Sequence, residues 1–419
     1  MSIPKTSPRP TPSEVARFFQ DLLGFEAPWA VAELVTNHPA HAIEIRLEHA
    51  PATRFPCPHC QTRCPVFDHA PSRRWRHLDA MLYQTFLTAA PPRIRCEVHG
   101  VCTVAVPWAG FSARWTLDLE RHCLAVLQAC STISAGAKLL GISWHTLQSI
   151  MQTAVERGLA RRVLNGIELL GLDEKSYLRG QSYISVCNDL VAGRVLEVSL
   201  GRTSEEAAKA LEIIPLEQRK AVVAVAIDMS AACAGAVKLV LPKATVVIDR
   251  FHVSQLANKM VHEVRKAEHA RLLEQGDDTL TGTSRLWLWS PENMPPALLT
   301  RFETVAELNL LTAQAWQVKE NLAGFWEQPD TPTAARYFEE WSRAAEATKI
   351  PQVRKLTKTL GRYLPGLLAY HRYKITNALS EGMNSKIQAL KSAARGFRNY
   401  AHYRVRILFF CGRLELNPA

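Results

Sequence analysis

The chain has 419 residues, enough for two to four domains at roughly 150 residues each. Hydrophobic residues make up 47% and charged residues 21% of it, a balance that argues against a disordered, fibrous or low-complexity protein. The 50 Lys and Arg against 39 Asp and Glu give a net charge of +11. Such an excess indicates a polyanionic partner, most often nucleic acid, although many basic proteins are only soluble and basic.

Two features of the chain predict a cytosolic protein. It has no uninterrupted run of about 18 apolar residues, which a transmembrane helix requires, and its first residues, MSIPKTSPRPTPSEVARFF, lack the apolar core of a secretory signal. We therefore expect no membrane association and reduced thiols. The ten cysteines then need an explanation other than disulfide bonds. Five of them lie close together in the sequence: Cys57, Cys60, Cys64, Cys96 and Cys102.

The first 110 residues divide into two predicted segments. Residues 1–50 comprise a tail rich in Pro, Ser and Thr, an amphipathic helix that begins at Ser13, and the alternating strand AIEIRLEHA. Residues 51–110 carry the clustered cysteines and further strand-like segments, and they end in a linker with Pro107 and Gly110. We expect the second segment to be a small β-rich module.

Two pairs of potential metal ligands lie in this module. Cys57-Pro-His-Cys60 and Cys96-Glu-Val-His99 each separate two ligands by two residues, which lets one tight turn direct both at a single ion. We therefore predict a structural Zn²⁺ held by these four residues, with Gly100 suited to the second turn. A redox CxxC fits less well because no βαβ pattern surrounds it, while buried free thiols remain an alternative. Three further ligands also remain open: His59, Cys64 and Cys102.

Five arginines lie between the two pairs and are consistent with a module that lies on phosphates. They are Arg73, Arg74, Arg76, Arg93 and Arg95.

Residues 111–163 are predicted to form a helical unit. ISAGAKLLG ends at Gly141, and a helix capped by Ser143 begins directly after it. The small residue Ala135, the glycine turn and the apolar Ile142 make the packing pattern of a helix-turn-helix, although an ordinary αα-corner shows it too. The DNA-binding interpretation places these side chains at a major groove or its phosphates: Trp144, His145, Gln148, Gln152 and Arg161.

From residue 164 the period changes, and elements follow in the order β-β-β-α-β-α-β up to residue 254. Asp173, Asp228 and Asp249 lie at the ends of the first, fourth and fifth strands, which meet at one edge of a sheet. Clustered carboxylates raise one another's pKa values unless a divalent ion neutralises them. Two Mg²⁺ ions about 4 Å apart can activate a water or a 3′-hydroxyl in phosphodiester chemistry. Each aspartate alone could instead be a helix N-cap.

Residues 255–373 are helical with many tryptophans, which we expect mainly in a core, and residues 374–419 are helical and basic. Glu381 lies in this last segment, flanked about one helical turn away by Asn377 and Asn384 on the same face. A charge run is usually a solvated face, but beside a catalytic carboxylate it would bind phosphates. The cations concerned are Lys386, Lys391, Arg395, Arg398, Arg404 and Arg406.

Three segments carry a resemblance to a known family. GLDEKSY, IDMSAACAGAVKLVLPKATVVIDRFHV and TNALSEGMNSKIQALKSAARGFRNY closely resemble insertion-sequence transposases of the ISL3 family, a similarity that extends over about residues 55–412. The ligand pairs resemble that family's zinc finger, and residues 131–150 its helix-turn-helix. The resemblance implies an α/β multidomain protein. Its ribonuclease H-like mixed-sheet core, interrupted by a helical insertion, follows the zinc module and the helix-turn-helix.

The resemblance also implies catalytic roles. In a ribonuclease H-like sheet the first catalytic acid lies on strand one and the second just after strand four. In this chain those acids are Asp173 and Asp228, and Glu381 is the third. Similarity to Mutator-like transposases supports Asp228. In those proteins the second acid is followed by a helix, a strand and then a C-x-x-H pair, and Asp249-Arg-Phe-His252 occupies the position of that pair in this chain. Asp249 stays the contender, since it ends a strand of the same sheet, with His252 as an active-site or DNA contact.

We therefore expect a DDE-type DNA transposase. The zinc module and the helix-turn-helix would bind terminal inverted repeats, and two Mg²⁺ (or Mn²⁺) ions would support strand cleavage and strand transfer. Because two ends must be held together, at least a homodimer on double-stranded DNA is implied, in the bacterial cytoplasm and associated with the nucleoid. The alternatives are a structure-specific nuclease that does not join strands, and a DNA-binding regulator with an inactive core.

Overall fold

The structure, a computed structural model, describes residues 12–178, 182–308, 310–375 and 378–418; within these ranges the side chains of residues 12, 13, 291 and 378–381 are not described. The chain divides into two compact units, Met1–Gly158 with Glu415–Ala419, and Leu159–Leu414. No helix in the described part is long and apolar enough to cross a lipid bilayer.

The first unit begins with one helix and eight strands. The alternation in AIEIRLEHA produces a strand in which Ile43, Ile45 and Leu47 are buried and the residues between them are more exposed. Trp29, Trp75 and Trp108 pack edge to face in the core of this unit. In chain order the elements are α1 (Pro12–Leu22), β1 (Trp29–Asn37), β2 (Ala42–His49), β3 (Arg54–Pro56), β4 (Arg63–His69), β5 (Arg73–Arg76), β6 (Gln84–Ala89), β7 (Pro92–Cys96) and β8 (Gly100–Thr103).

These strands form two sheets of four. The first has the order β1-β2-β6-β5, with β2 parallel to β6 and the other pairs antiparallel. The second has the order β3-β4-β7-β8 and is antiparallel throughout. Cys57 and Cys60 lie in the turn that joins β3 to β4, Cys96 is the last residue of β7, and His99 lies in the turn that joins β7 to β8. The second sheet therefore presents both pairs at the turns of neighbouring hairpins.

Three helices complete the first unit and contain the predicted helix-turn-helix. The hydroxyl of Thr132 accepts the N–H of Ala135, and the hydroxyl of Ser143 accepts the N–H of Thr146, so both helices of the motif have an N-cap. Gly141 between them has a φ of 61°, the left-handed conformation that commonly ends a helix. The helices are α2 (Leu117–Ala129), α3 (Ile133–Leu140) and α4 (Trp144–Arg161), the last of which extends into the second unit.

The close packing of α3 on α4 depends on a different small residue from the predicted one. Ala135 is exposed, so the prediction for it was wrong. Gly136 is buried instead, and a Cβ atom there would lie 3.1 Å from Cδ2 of Leu147. The N-caps determine where α3 and α4 begin, but the rotation of α3 about its axis determines which small residue faces α4.

The second unit is built on a five-stranded mixed sheet with the order β11-β10-β9-β12-β13. β9, β10 and β11 form an antiparallel meander, and β12 and β13 run parallel to β9. This confirms the predicted order and the expected ribonuclease H-like mixed sheet. The elements are β9 (Leu169–Ser176), β10 (Tyr183–Asp189), β11 (Arg194–Leu200), α5 (Ser204–Leu211), β12 (Ala224–Ile227), α6 (Ala231–Val240) and β13 (Thr245–Ile248).

Helices make up most of the rest of the second unit. The tryptophans expected in a core are buried at 287, 316, 326 and 341, whereas Trp289 is 40% exposed. α12 packs against β13, where Gly366 lies close to Ile248. The helices are α7 (Arg250–Glu274), α8 (Pro296–Ala306), α9 (Leu311–Trp326), α10 (Thr331–Ala347), α11 (Pro351–Arg362), α12 (Leu364–Tyr373), α13 (Ala378–Ala393) and α14 (Tyr400–Cys411).

Candidate functional site

The four predicted zinc ligands come together at the turns of the second small sheet. One ligand atom from each of Cys57, Cys60, Cys96 and His99 lies within 4.8 Å of all the others. Sγ of Cys60 is 3.6 Å from Sγ of Cys96, and Nδ1 of His99 is 3.8 Å from Sγ of Cys57. Ligands about 2.3 Å from a tetrahedral Zn²⁺ are themselves about 3.7 Å apart, so this donor set fits zinc.

Backbone hydrogen bonds shape the first of the two turns. The N–H of Gln61 donates to the carbonyl of Cys57, the N–H of Cys57 donates to the carbonyl of Thr62, and Gln61 takes a left-handed φ of 63°. Hydrogen bonding with the hydroxyl of Thr62, and then with its backbone, lowers the pKa of Cys60 to about 6. A lowered pKa favours the thiolate, which is the form that binds metal ions.

The three alternative ligands lie outside this group of four. The thiol of Cys64 is directed at the carbonyl of Thr62, 3.4 Å away, and that of Cys102 at the carbonyl of His99, 3.6 Å away. The ring of His59 packs against the ring of His99 with 5.1 Å between centroids. The structure therefore groups the four predicted residues and leaves these three as neighbours.

The three aspartates lie in one row across the sheet of the second unit. The N–H of Asp249 donates to the carbonyl of Ile227 over 2.9 Å, so the hydrogen bonding between β12 and β13 continues one residue beyond the end of β13. Asp228 and Asp249 directly follow β12 and β13, as the strand pattern predicted, whereas the prediction that Asp173 ends its strand was wrong, because β9 continues to Ser176. The residues that precede them are paired in register: Leu172, Ile227 and Ile248.

Asp173 is held by three neighbours. The side-chain amide of Asn384 donates to Oδ2 over 2.7 Å, and Nζ of Lys175 lies 2.7 Å from the same oxygen. Oδ1 accepts the N–H of Glu174 over 2.8 Å. With 3% of its surface exposed, this side chain is a buried carboxyl group whose orientation the protein determines.

The surroundings of Asp228 disfavour a negative charge. Burial raises the pKa of Asp228, the charge of Asp173 raises it further, and His252 partly counteracts both effects. Among the described residues, Oδ1 has no hydrogen-bond partner although it is buried. A desolvated carboxylate oxygen beside a second carboxylate is the arrangement that a bound cation stabilises.

Asp249 has a structural task that Asp228 lacks. Oδ1 of Asp249 accepts the N–H of Phe251 and caps α7, which is the alternative role that the sequence left open for each aspartate. The corresponding cap of α6 is the hydroxyl of Ser230, which accepts the N–H of Cys233. Oδ2 of Asp249 is buried without a hydrogen bond within the described part, with Nε2 of His252 3.6 Å away.

The third predicted acid lies on α13. Glu381 belongs to this helix, but its side chain is not among those described, and Asn377 lies outside the described residues. Asn384, one helical turn after Glu381, contacts Asp173 and places this part of α13 at the aspartate row. Among the described side chains, no three carboxylate groups at the aspartate row have oxygens within 4.8 Å of one another.

Residues that the sequence analysis did not single out complete the surroundings of the row. Lys175 stands two positions after Asp173 on β9, so both side chains lie on the same face of the strand. Oε1 of Glu174, on the other face, accepts hydrogen bonds from the hydroxyl of Ser230 (2.7 Å) and the thiol of Cys233. All of them stand in the motifs GLDEKSY and IDMSAACAG, where Lys175 directly follows an acidic pair.

The predicted recognition helix α4 presents some of the expected residues and buries one. His145, Gln152 and Arg161 are exposed, and Trp144 is half-buried with its ring against that of His145. Gln148 is only 4% exposed, so the prediction that it faces a groove was wrong. Gln148 lies on the packed side of α4 with the buried Leu147 and Met151. Its side-chain amide has no hydrogen-bond partner among the described residues.

The basic residues after Glu381 divide into exposed and structural ones. Arg395 and Arg398 are exposed. Nζ of Lys386 donates to the carbonyl of Phe410 and Nζ of Lys391 to that of Ser176, over 2.8 and 2.6 Å. Two further cations do not fit the predicted phosphate-binding role: Arg404, in a two-hydrogen-bond pair with Glu197, and Arg406, 2% exposed.

Most of the arginines between the zinc ligands also have partners within the chain. Arg74, Arg76 and Arg93 form ion pairs with nearby carboxylates. Arg73 donates to two backbone carbonyls, and Arg95 lies over the ring of Phe67 at 4.0 Å. Part of the net charge is therefore neutralised locally and is less available to an external phosphate than the sequence indicated.

Comparison with known proteins yields three family matches and several relatives. A transposase profile of family ISL3 matches residues 170–407, a zinc-finger profile of transposases IS204/IS1001/IS1096/IS1165 matches residues 53–99, and a helix-turn-helix profile of transposase family ISL3 matches residues 104–155. The chain is 26% identical over 355 residues to the transposase for insertion sequence element IS1001 of Bordetella parapertussis, covering 84% of this chain and 87% of that protein. It is 25% identical over 371 residues to the transposase for IS1557 of Mycobacterium tuberculosis, covering 82% of each.

Proposed function

Because the chain belongs to the transposase family ISL3, we propose that it binds the ends of an insertion sequence and catalyses DNA strand cleavage and strand transfer. The observation that carries the catalytic part is the row of carboxylates, in which the half-buried Asp228 keeps one buried, unpartnered oxygen beside the buried Asp173. Hydrolysis and strand transfer both need an attacking oxygen, from water or from a 3′-hydroxyl. No covalent link between protein and DNA is required for either.

Asp173, Asp228 and Glu381 would hold two divalent ions, Mg²⁺ or Mn²⁺. Carboxylate oxygens are the donors that these hard cations prefer, and the buried, unpartnered Oδ1 of Asp228 fits a cation. When bound, such ions would supply Lewis-acid activation of the attacking oxygen and stabilisation of the leaving oxygen. The protein contributes the fixed orientation of Asp173, through Asn384 and Lys175.

We assign the second catalytic position to Asp228 and a structural one to Asp249. The hydrogen bond from Phe251 engages one oxygen of Asp249 in the cap of α7. Asp228 also accepts a backbone N–H, from Ser230, and each aspartate keeps one buried oxygen without a hydrogen-bond partner among the described residues. The difference is the helix cap, because the hydroxyl of Ser230, and not Asp228, caps the helix that follows Asp228. His252, next to both aspartates, would then contact the reacting DNA or its hydration shell.

The zinc module and the helix-turn-helix would recognise the terminal inverted repeats. Zn²⁺ at Cys57, Cys60, Cys96 and His99 would hold the small sheet together, as is usual for so small a module. For the major groove and nearby phosphates we propose Trp144, His145, Gln152 and Arg161. For phosphates near the catalytic row we propose the exposed Arg395 and Arg398, because Lys386 and Lys391 donate to backbone carbonyls. Two ends must be held at once, so the active form would be at least a homodimer on DNA in the bacterial cytoplasm.

A cleavage and joining assay tests this function. The purified chain is incubated with Mg²⁺, a labelled duplex that carries the inverted repeat flanking its gene, and a target plasmid. We expect nicked ends and labelled joint molecules, both lost in Asp173→Asn and kept in a control variant of the exposed Asp278, Asp278→Asn. Cleavage without joint molecules would indicate a nuclease. Tight binding without chemistry, unaffected by Asp173→Asn, would indicate a regulator.

A further inference from the structure

We propose that Asn384 is a positioning residue: it ties α13 to Asp173 and thereby sets how the turn that carries Glu381 faces the aspartate row. This inference rests on the proposed function, because it concerns the same carboxylates. Asn384 donates to Oδ2 of Asp173 over 2.7 Å, across 211 residues of sequence. Since it bonds to an acid rather than to the reacting atoms, its role is indirect.

A second contact shows that α13 is held along β9 rather than at one point. Nζ of Lys391 donates to the carbonyl of Ser176 over 2.6 Å. Asn384 and Lys391 are two helical turns apart, about 10.5 Å along the axis, and Asp173 and Ser176 are about 10 Å apart along the strand. Helix and strand lengths match, so both contacts form together and fix the rotation of α13.

Rotation matters because Glu381 is three residues before Asn384. Residues at this spacing lie on one face of a helix, so a hydrogen bond from Asn384 places position 381 on the side of the helix that faces the row. The buried Met383, Ile387 and Leu390 support the same rotation through packing. An apolar face tolerates small rotations, whereas a 2.7 Å hydrogen bond to a buried carboxylate does not.

The chemistry of the side chain also suits this role. An amide donates a hydrogen bond to Asp173 without adding a charge to the carboxylate row. Oδ1 of Asn384 is buried and has no partner among the described residues, so the contact with Asp173 is the interaction that orients the amide. Lys175 shares Oδ2 of Asp173 and holds the acid itself, whereas Asn384 connects that acid to α13.

The experiment compares the full-length protein with Asn384→Ala, the isosteric Asn384→Leu, and Gln388→Ala, which removes an exposed amide from the same helix. Three quantities are measured: Mn²⁺ binding by calorimetry without DNA, the Mg²⁺ concentration for half-maximal cleavage, and binding to the end duplex without metal. We expect both Asn384 variants to need about 10–100-fold more metal, with unchanged DNA binding, and Gln388→Ala to behave as wild type.

The outcomes separate this inference from the proposed function. Wild-type affinity for Mn²⁺ in a folded Asn384→Leu protein would overturn the positioning role, and so would a loss confined to DNA binding. If Asn384→Ala does not fold, Asn384→Leu, which keeps the side-chain volume, decides alone. If wild type and Asp173→Asn bind Mn²⁺ equally, the carboxylates are not a metal site and the proposed function fails first.

Discussion

Asp228 and Asp249 end neighbouring parallel strands, but only Asp249 caps the helix that follows it. The N–H of Phe251 donates to Oδ1 of Asp249, whereas Ser230 provides the cap after Asp228. Each carboxylate keeps one buried oxygen with no hydrogen-bond partner among the described residues, so the cap of α7 is what separates the two. This difference distinguishes two residues that look equivalent in the sequence.

The first prediction concerns these two aspartates. Asp228→Asn should reduce end cleavage by on the order of 10³-fold or more, as the loss of a catalytic group does. Asp249→Ser, which keeps a capping hydroxyl, should retain cleavage within about tenfold, because its main loss is a cap worth about 1 kcal/mol. Nicking of labelled ends measures both. An active Asp228→Asn protein beside an inactive Asp249→Ser protein would reverse the assignment.

The second prediction concerns the zinc ligands. Wild-type protein should contain one Zn²⁺ per chain, measured by mass spectrometry of the metal, and Cys96→Ser should lose it together with end binding. Cys102→Ser is the matched control, because its thiol lies outside the four-ligand group. Full zinc content in Cys96→Ser, or its loss in Cys102→Ser, would show that the ligand set is wrong.

The third prediction separates exposed from buried residues of α4. His145→Ala should weaken binding to the end duplex by about 1–3 kcal/mol if this residue contacts a base. Gln148→Leu should leave binding unchanged and stabilise the protein by about 1 kcal/mol, because it removes a buried amide that has no partner among the described residues. Salt-controlled binding curves and urea unfolding measure the two effects. Weaker binding in Gln148→Leu would mean that this glutamine reaches DNA after all.

The fourth prediction concerns Glu268, a buried acid on α7. Its carboxylate accepts the N–H groups of Leu311 and Thr312 at the start of α9, over 2.9 and 2.7 Å, and the hydroxyl of Thr312. Glu268→Ala should therefore destabilise this helix end by about 1–3 kcal/mol. Hydrogen exchange of the two amides should accelerate, while the exposed control Glu274→Gln should not change it. Equal protection in both variants would mean that other contacts hold α9.

Local patterns in the sequence were sufficient for the order of elements and for the Cys/His cluster proposed to bind zinc. Alternation, buried apolar strands and caps such as Ser143 act within a few residues, so they predict strands and helices before any tertiary contact is known. The ligands came in two pairs, and each turn needs only its own few residues to direct them. For Asp228 and Asp249 the row followed from apolar strands with an acid directly after them, whereas β9 continues three residues beyond Asp173.

Only the tertiary structure decided which partner each side chain meets. The sequence could not show that Asp249 caps α7 whereas Ser230 caps α6. Nor could it show that Gln148 turns inward or that Arg404 pairs with Glu197. These outcomes depend on helix rotation and on contacts between segments far apart in the chain. The hydrogen bond between Asn384 and Asp173 is the extreme case: residue types and local spacing determine what can form, but packing across 211 residues determines what does.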